Sequence, residues 1–172
     1  MKKFLILLLT ALAITGCGKN DVPDSFEDTE NRQYSEYYDE FGITNLKDEF
    51  YSKTEETYAI YLYGTGCHYC DYCKGSVLDY LDDLREDKKK SLDNLYIFER
   101  EKDTGFRFYF KEKPDTFWFN RDKELYIEKM IGATEISETY FFGTPSLYII
   151  KNHKLSNVLV GDKDVGSYLA KN

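Results

Sequence analysis

Three cysteines, Cys67, Cys70 and Cys73, fall within seven residues of one another in a chain of 172 residues. A structural disulfide framework spreads its cysteines along a chain, so this cluster reads as chemistry before scaffolding. In Cys67-His68-Tyr69-Cys70, two thiols stand at i and i+3. If the first opens a helix, unpaired backbone N–H groups and the positive helix end stabilise its thiolate. The second then lies one turn deeper, close enough to form a disulfide. Zinc sites use the same spacing but need further ligands, and the only histidines are His68 and His153. His68 has two readings: a cation that stabilises the Cys67 thiolate and makes the disulfide more oxidising, or a solvent-facing side chain. His153, in a turn, reads as inert. On a helix Cys73 sits about 60° round from Cys70 and about 120° from Cys67. Three roles stay open for it: a buried apolar thiol, a second disulfide partner, or a third metal ligand. An iron–sulfur run would need a fourth cysteine where Val77 stands, whereas two or three thiolates suit Cu(I).

The elements around these residues follow from periodicity. Thr57 to Tyr63 is a near-continuous β-prone run ended by Gly64-Thr65-Gly66, which suits a central strand buried on both faces. Past the cysteines, Val77, Leu78, Leu81 and Leu84 recur at helical intervals until the charged stretch 85–90. Acidic positions 79, 82, 83, 86 and 87 read as a solvated helix face. Further strands are expected at Leu95–Phe98, Leu147–Ile150 and Ser156–Val160, with a turn at Asn152-His153-Lys154 and a closing helix at Asp164–Ala170. Ahead of the first strand, helical spacing marks Tyr34–Phe41 and Asn45–Ser52. Strand, helix, strand, then a late hairpin predicts a mixed sheet.

A second motif, Gly143-Thr144-Pro145-Ser146-Leu147-Tyr148-Ile149-Ile150, followed by Val158 to Gly161, resembles the cis-proline strand and final strand of thioredoxins. With C-x-x-C after a buried strand, it marks a resemblance to the thioredoxin-like family over about Asn45 to the C-terminus. The resemblance implies an α/β fold with a mixed central sheet flanked by helices and an insertion before the cis-proline strand. It implies Cys67 as attacking thiol, Cys70 as resolving thiol, and Thr144 and Pro145 as a facing loop that pairs with an incoming peptide. It implies no cofactor and no resident metal. Four departures stand out. The family's buried acid, six residues before the first cysteine, is replaced by Tyr61, and a phenol is a poor proton acceptor near neutral pH. Gly66 stands where a tryptophan is usual. Cys73 is additional. The 74 residues between Cys70 and Pro145 leave room for an insertion over about 104–138, either a lid or helices covering one face. Its Phe106, Phe108, Phe110, Phe117, Trp118 and Phe119 read as core.

Met1-Lys2-Lys3, the mostly apolar Phe4–Ile14, and Ile14-Thr15-Gly16-Cys17 resemble the signal peptide and lipobox of bacterial lipoproteins. That implies cleavage before Cys17, lipidation of its sulfur, and a lipid-anchored protein on the extracytoplasmic face of the cell membrane. Residues 17–33 then read as lipidated cysteine and disordered tether, spanning roughly 20 Å, and 34–172 as the folded domain. The 23 basic side chains less Lys2 and Lys3 leave 21 against 31 acidic, a net charge of −10. Such a surface argues against nucleic acid and leaves attachment to the lipid. The expected partners are thiols and disulfides of exported proteins or peptides. The leading function is an extracytoplasmic thiol–disulfide oxidoreductase. Two alternatives stand beside it: a Cu(I)-binding lipoprotein using the thiols, and a non-enzymatic thioredoxin domain of the bacteriocin-transport-accessory kind.

Overall fold

The computed structural model describes residues 31–114, 119 and 121–172. Cys17, the apolar segment ahead of it, the tether up to residue 30, and Phe117 and Trp118 lie outside the described residues. A 3-10 turn, Tyr34–Tyr37, runs into helix α1, Tyr38–Phe41, and helix α2 follows at Leu46–Glu49. Strand β1, Thr57–Tyr63, has the bounds its composition predicts. Helix α3, His68–Arg85, crosses to strand β2, Asn94–Glu99, which lies parallel to β1. Helix α4 occupies Lys123–Met130. Strands β3, Ser146–Lys151, and β4, Lys154–Val160, form a hairpin, and helix α5, Asp162–Lys171, closes the chain. The sheet order is β2-β1-β3-β4, with β1 antiparallel to β3 and β3 to β4. A mixed four-stranded sheet flanked by helices is the thioredoxin-like architecture expected.

Strand β1 is buried on both faces, and its two-residue period sorts the core. Ala59, Tyr61 and Tyr63 pack with Val77 and Leu81 of α3 and Val165 and Leu169 of α5. Tyr58, Ile60 and Leu62 pack on the other side with Phe106, Phe110, Phe119 and Met130 of the insertion. Each large apolar side chain buried this way contributes about 1.5–3 kcal/mol. The insertion therefore covers one face of the sheet. Phe108 departs from the expectation of a core residue, being 89 % exposed. It belongs to a 3-10 turn, Phe106–Tyr109, where a three-residue period buries Phe106, half-buries Tyr109 and turns residue 108 outward.

The turn between β3 and β4 holds Asn152 at φ 50° and His153 at φ 58°. Two successive left-handed residues give the twist that a two-residue hairpin needs, and asparagine adopts that conformation more readily than most. On α3 the acidic face is not wholly solvated. Arg32 is 2.6 Å from Asp79 and also pairs with Asp82, and Lys88 and Lys90 converge on Asp83. Tyr37 donates to Asp82 at 2.8 Å, so the segment before β1 is fastened along α3.

One buried bond ties the sheet to the loop before Pro145. Tyr148 on β3 donates to the backbone carbonyl of Tyr140 at 2.8 Å. Tyr148→Phe keeps the ring and leaves that carbonyl unpaired, so it should cost about 1–3 kcal/mol. Urea unfolding should show a lower midpoint at an unchanged slope; an unchanged midpoint would refute the role given to this hydroxyl.

Candidate functional site

The site is built where β1 ends. Gly64-Thr65-Gly66 turns the chain, with Gly66 at φ 67°, a conformation glycine adopts without strain. Cys67 is then the N-cap of α3, and its sulfur accepts from the backbone N–H of Cys70 at 3.2 Å. An anionic sulfur here would meet that N–H and the positive end of an 18-residue helix. Cys67 and Cys70 form a disulfide with Cα atoms 5.2 Å apart. Cys67 is partly exposed, whereas Cys70 is buried. The first sulfur is therefore the more accessible of the two.

The Thr144–Pro145 peptide bond is cis, as the motif implied. Thr144 Oγ1 donates to Cys67 Sγ at 3.5 Å, and the Thr144 carbonyl oxygen lies 3.6 Å from the same sulfur. Two motifs separated by 74 residues thus meet face to face. Ser146 Oγ donates to the Gly143 carbonyl at 2.8 Å and braces the loop from within. A cleft of about 200 Å³ runs beside the cis bond, lined by Tyr69, Phe142, Thr144, Pro145 and Val160.

His68 is exposed, and its Nε2 lies 2.6 Å from the Tyr72 hydroxyl one helical turn on. Among the described residues it makes no hydrogen bond to either sulfur of the disulfide. His153 sits in the β3–β4 turn, away from the dithiol.

Tyr61 and Cys73 belong to one network that the sequence did not disclose. Tyr34 donates to the Tyr61 oxygen at 3.2 Å, and the Tyr61 hydroxyl is 3.3 Å from Cys73 Sγ. The Cys73 thiol in turn donates to the Cys70 carbonyl at 3.5 Å. With Tyr61 donating to Cys73, every group in this chain is satisfied. Burial pushes the Tyr61 phenol well up, so it stays protonated and cannot take a proton from Cys70. Burial likewise pushes the Cys73 thiol up to about 11, against a smaller opposing effect of the Tyr61 hydrogen bond. Cys73 lies where α3 and α5 approach; a Cβ on Gly166 of α5 would sit 3.4 Å from the Cys73 Cβ. Of the three roles open to it, the buried thiol fits. No group of three His, Cys, Asp or Glu among the described residues could hold a metal ion. Tyr34 was not foreseen as part of the site, because its contact with Tyr61 spans 27 residues.

No protein-family model matches the chain, and no curated protein matches it. Among solved structures it is similar to the thioredoxin of Malassezia sympodialis, at 12 % identity over 76 % of this chain and 87 % of that one, with a TM-score of 0.43. It is similar to the oxidised thioredoxin from Plasmodium falciparum, at 13 % identity over 76 % and 94 %, with a TM-score of 0.42. A third, the J-Trx1 fragment of ERdj5, has 13 % identity over 82 % and 59 %, with a TM-score of 0.42. At these levels the reading of the site rests on strand order and on the geometry around Cys67.

The same geometry orders the three thiols by reactivity. Iodoacetamide added to the reduced chain at neutral pH should label Cys67 first. Cys73 should stay unlabelled until the chain is unfolded or the pH nears about 11. Cys70 or Cys73 reacting ahead of Cys67 would overturn this order.

Proposed function

We propose that the chain is a thiol–disulfide oxidoreductase held by lipid on the extracytoplasmic face of the membrane. The observation that carries the redox reading is the Cys67–Cys70 disulfide at the start of α3, facing the cis Thr144–Pro145 bond. In the reductive direction the Cys67 thiolate attacks one sulfur of a substrate disulfide. A Cys67–substrate disulfide forms and the other substrate sulfur leaves as thiolate. The Cys70 thiolate then attacks Cys67 Sγ, closes the Cys67–Cys70 disulfide and expels the second substrate thiolate. Two electrons pass from the dithiol to the substrate, and the reverse sequence oxidises a substrate dithiol. Thr144 and Pro145 border the cleft where an extended peptide would lie, and backbone pairing there demands little of its sequence. A cation at His68, next to Cys67 in the chain, would favour the thiolate and raise the potential of the pair. With Tyr61 unable to accept a proton, the acceptor for Cys70 has to be reached through the cleft of about 280 Å³ that Cys70 lines with Tyr34, Asp71, Lys74 and Glu99.

The anchoring half of the proposal rests on Ile14-Thr15-Gly16-Cys17 after the apolar Phe4–Ile14 run. The partners it implies are exported proteins or peptides carrying thiols or disulfides, with no part for nucleic acid.

Removing the resolving thiol should trap the intermediate. Cys70→Ser is expected to accumulate mixed disulfides between Cys67 and exported proteins, and adding Pro145→Ala should change the set captured. Mass spectrometry of non-reduced membrane fractions decides it; an empty trap with Cys67 intact and accessible would refute the redox function. Separately, Cys17→Ser should abolish detergent partitioning or block processing. A Cys17→Ser chain that is cleaved and still partitions like the parent would refute lipid anchoring.

A further inference from the structure

Core packing does not account for one part of the insertion. Phe108 stands 89 % exposed at the edge of a cleft of about 740 Å³ whose apolar walls are Phe110 and Phe141. The rim is cationic, with Arg107, Lys111 and Lys113 against the single acid Glu112. The Arg107 guanidinium lies 5.8 Å from the Phe141 ring centroid, and the Lys113 ammonium 5.4 Å from the same centroid. Two cations therefore share one ring. Among the described residues neither Arg107 nor Lys113 pairs with a carboxylate, and what sets them apart from other such cations, Lys47 and Lys151 among them, is the ring they share. Lys113 is exposed as a residue, yet its ammonium end is partly desolvated over the Phe119 and Phe141 rings. That desolvation, and next the charge of Arg107, push its pKa down. An incoming anion would offset the repulsion between the two cations.

The position of the cleft ties it to the dithiol. Gly143 lines it and also lines the cleft beside Thr144 and Pro145, so one residue borders both. At φ 109° Gly143 carries no side chain, and a Cβ built on it would meet nothing within 4 Å, so the space beside it is open. One residue further on, Thr144 touches Cys67 Sγ.

We infer that this cleft is a specificity subsite for the polypeptide that reacts at Cys67, taking an acidic side chain beside an apolar one a few residues from the reacting cysteine. The carboxylate sits between Arg107 and Lys113, and the apolar side chain lies on Phe108, Phe110 and Phe141. Charge complementarity selects the acid, since a cationic or neutral residue would leave the two cations as they are. The inference rests on Cys67 as the reacting thiol.

The test uses the reduced full chain and three peptides, each with its cysteine in a mixed disulfide with thionitrobenzoate. They differ only in carrying Phe-Glu, Phe-Gln or Phe-Lys a few residues from that cysteine. Turnover reduces the mixed disulfide to free peptide thiol and coloured thionitrobenzoate while Cys67 and Cys70 are oxidised. In this single turnover, followed with peptide in excess, two exposed ion pairs should give the Glu peptide a second-order rate constant about five- to tenfold above the Gln peptide. In the Arg107→Gln/Lys113→Gln double variant the ratio should fall to near one. In Arg107→Glu/Lys113→Glu the Lys peptide should become the preferred one. Equal values for the Glu and Gln peptides, or a ratio untouched by the double variant, would overturn the subsite and leave the thiol chemistry standing. If none of the peptides is reduced, it is the redox reading that fails. The subsite is then read by fluorescence anisotropy of the same peptides with serine for cysteine. The same ratio in Kd upholds it, and equal Kd values overturn it.

Discussion

Strand β1 meets water on neither face, and that constraint reaches every other element. A strand with a two-residue period must present two apolar surfaces if both sides are covered. Here the odd positions from Ala59 and the even positions from Tyr58 each nucleate a separate cluster. One cluster requires α3 and α5, the other requires the insertion. A shift of one residue in β1 would exchange the two sets, placing Tyr61 beneath Phe106 and Ile60 beneath Cys73. The start of α3 is fixed by the same register, because only three residues separate Tyr63 from Cys67. The cis-proline loop is fixed too, since β3 pairs directly with β1, Leu62 opposite Ser146.

The polar groups inside this core are arranged so that none is left over near the dithiol. Tyr34, Tyr61, Cys73 and the Cys70 carbonyl form a continuous chain of donors and acceptors. In a low-dielectric interior such a chain is favourable only when complete. It also joins the segment before β1 to the helix that bears the reactive cysteines. Arg32 and Tyr37 reinforce that connection at the far end of α3 through Asp79 and Asp82. The surface pairs are individually worth about 0–1 kcal/mol. Their effect is to hold Tyr34 in place, its ring 4.1 Å from that of Tyr63.

What could be read beforehand was whatever depends on neighbours in sequence. Thr57–Tyr63 declared itself as a strand because every residue in it suits one, and Cys67 declared the start of α3. Strand β2 extends one residue beyond Leu95–Phe98 at each end, since Asn94 and Glu99 are polar and pair with β1 only through their backbones. The cis bond before Pro145 was foreseen by resemblance, not by any local property of threonine and proline. Contacts across long separations were silent: Arg32 with Asp79, and Tyr34 with Tyr61. Phe108 was misjudged because a phenylalanine among phenylalanines looks like core until the three-residue period of its turn is known.

Three thiols in seven residues invite scrambling, in which the wrong sulfur enters the exchange and the couple branches. Burial of Cys73 prevents this in a way that can be put in numbers. A thiol pushed up to about 11 is ionised at neutral pH about one part in ten thousand, against about one in a hundred at its ordinary value of 9.0. The more basic thiolate is about eightfold more nucleophilic, so the roughly hundredfold loss of ionisation slows its attack by about tenfold in net. Steric exclusion then acts on what remains, for Cys73 is 1 % exposed beneath α5. Under the proposed function the cysteine cluster would act as a single two-electron couple with Cys73 as a spectator thiol, electrons entering and leaving through Cys67.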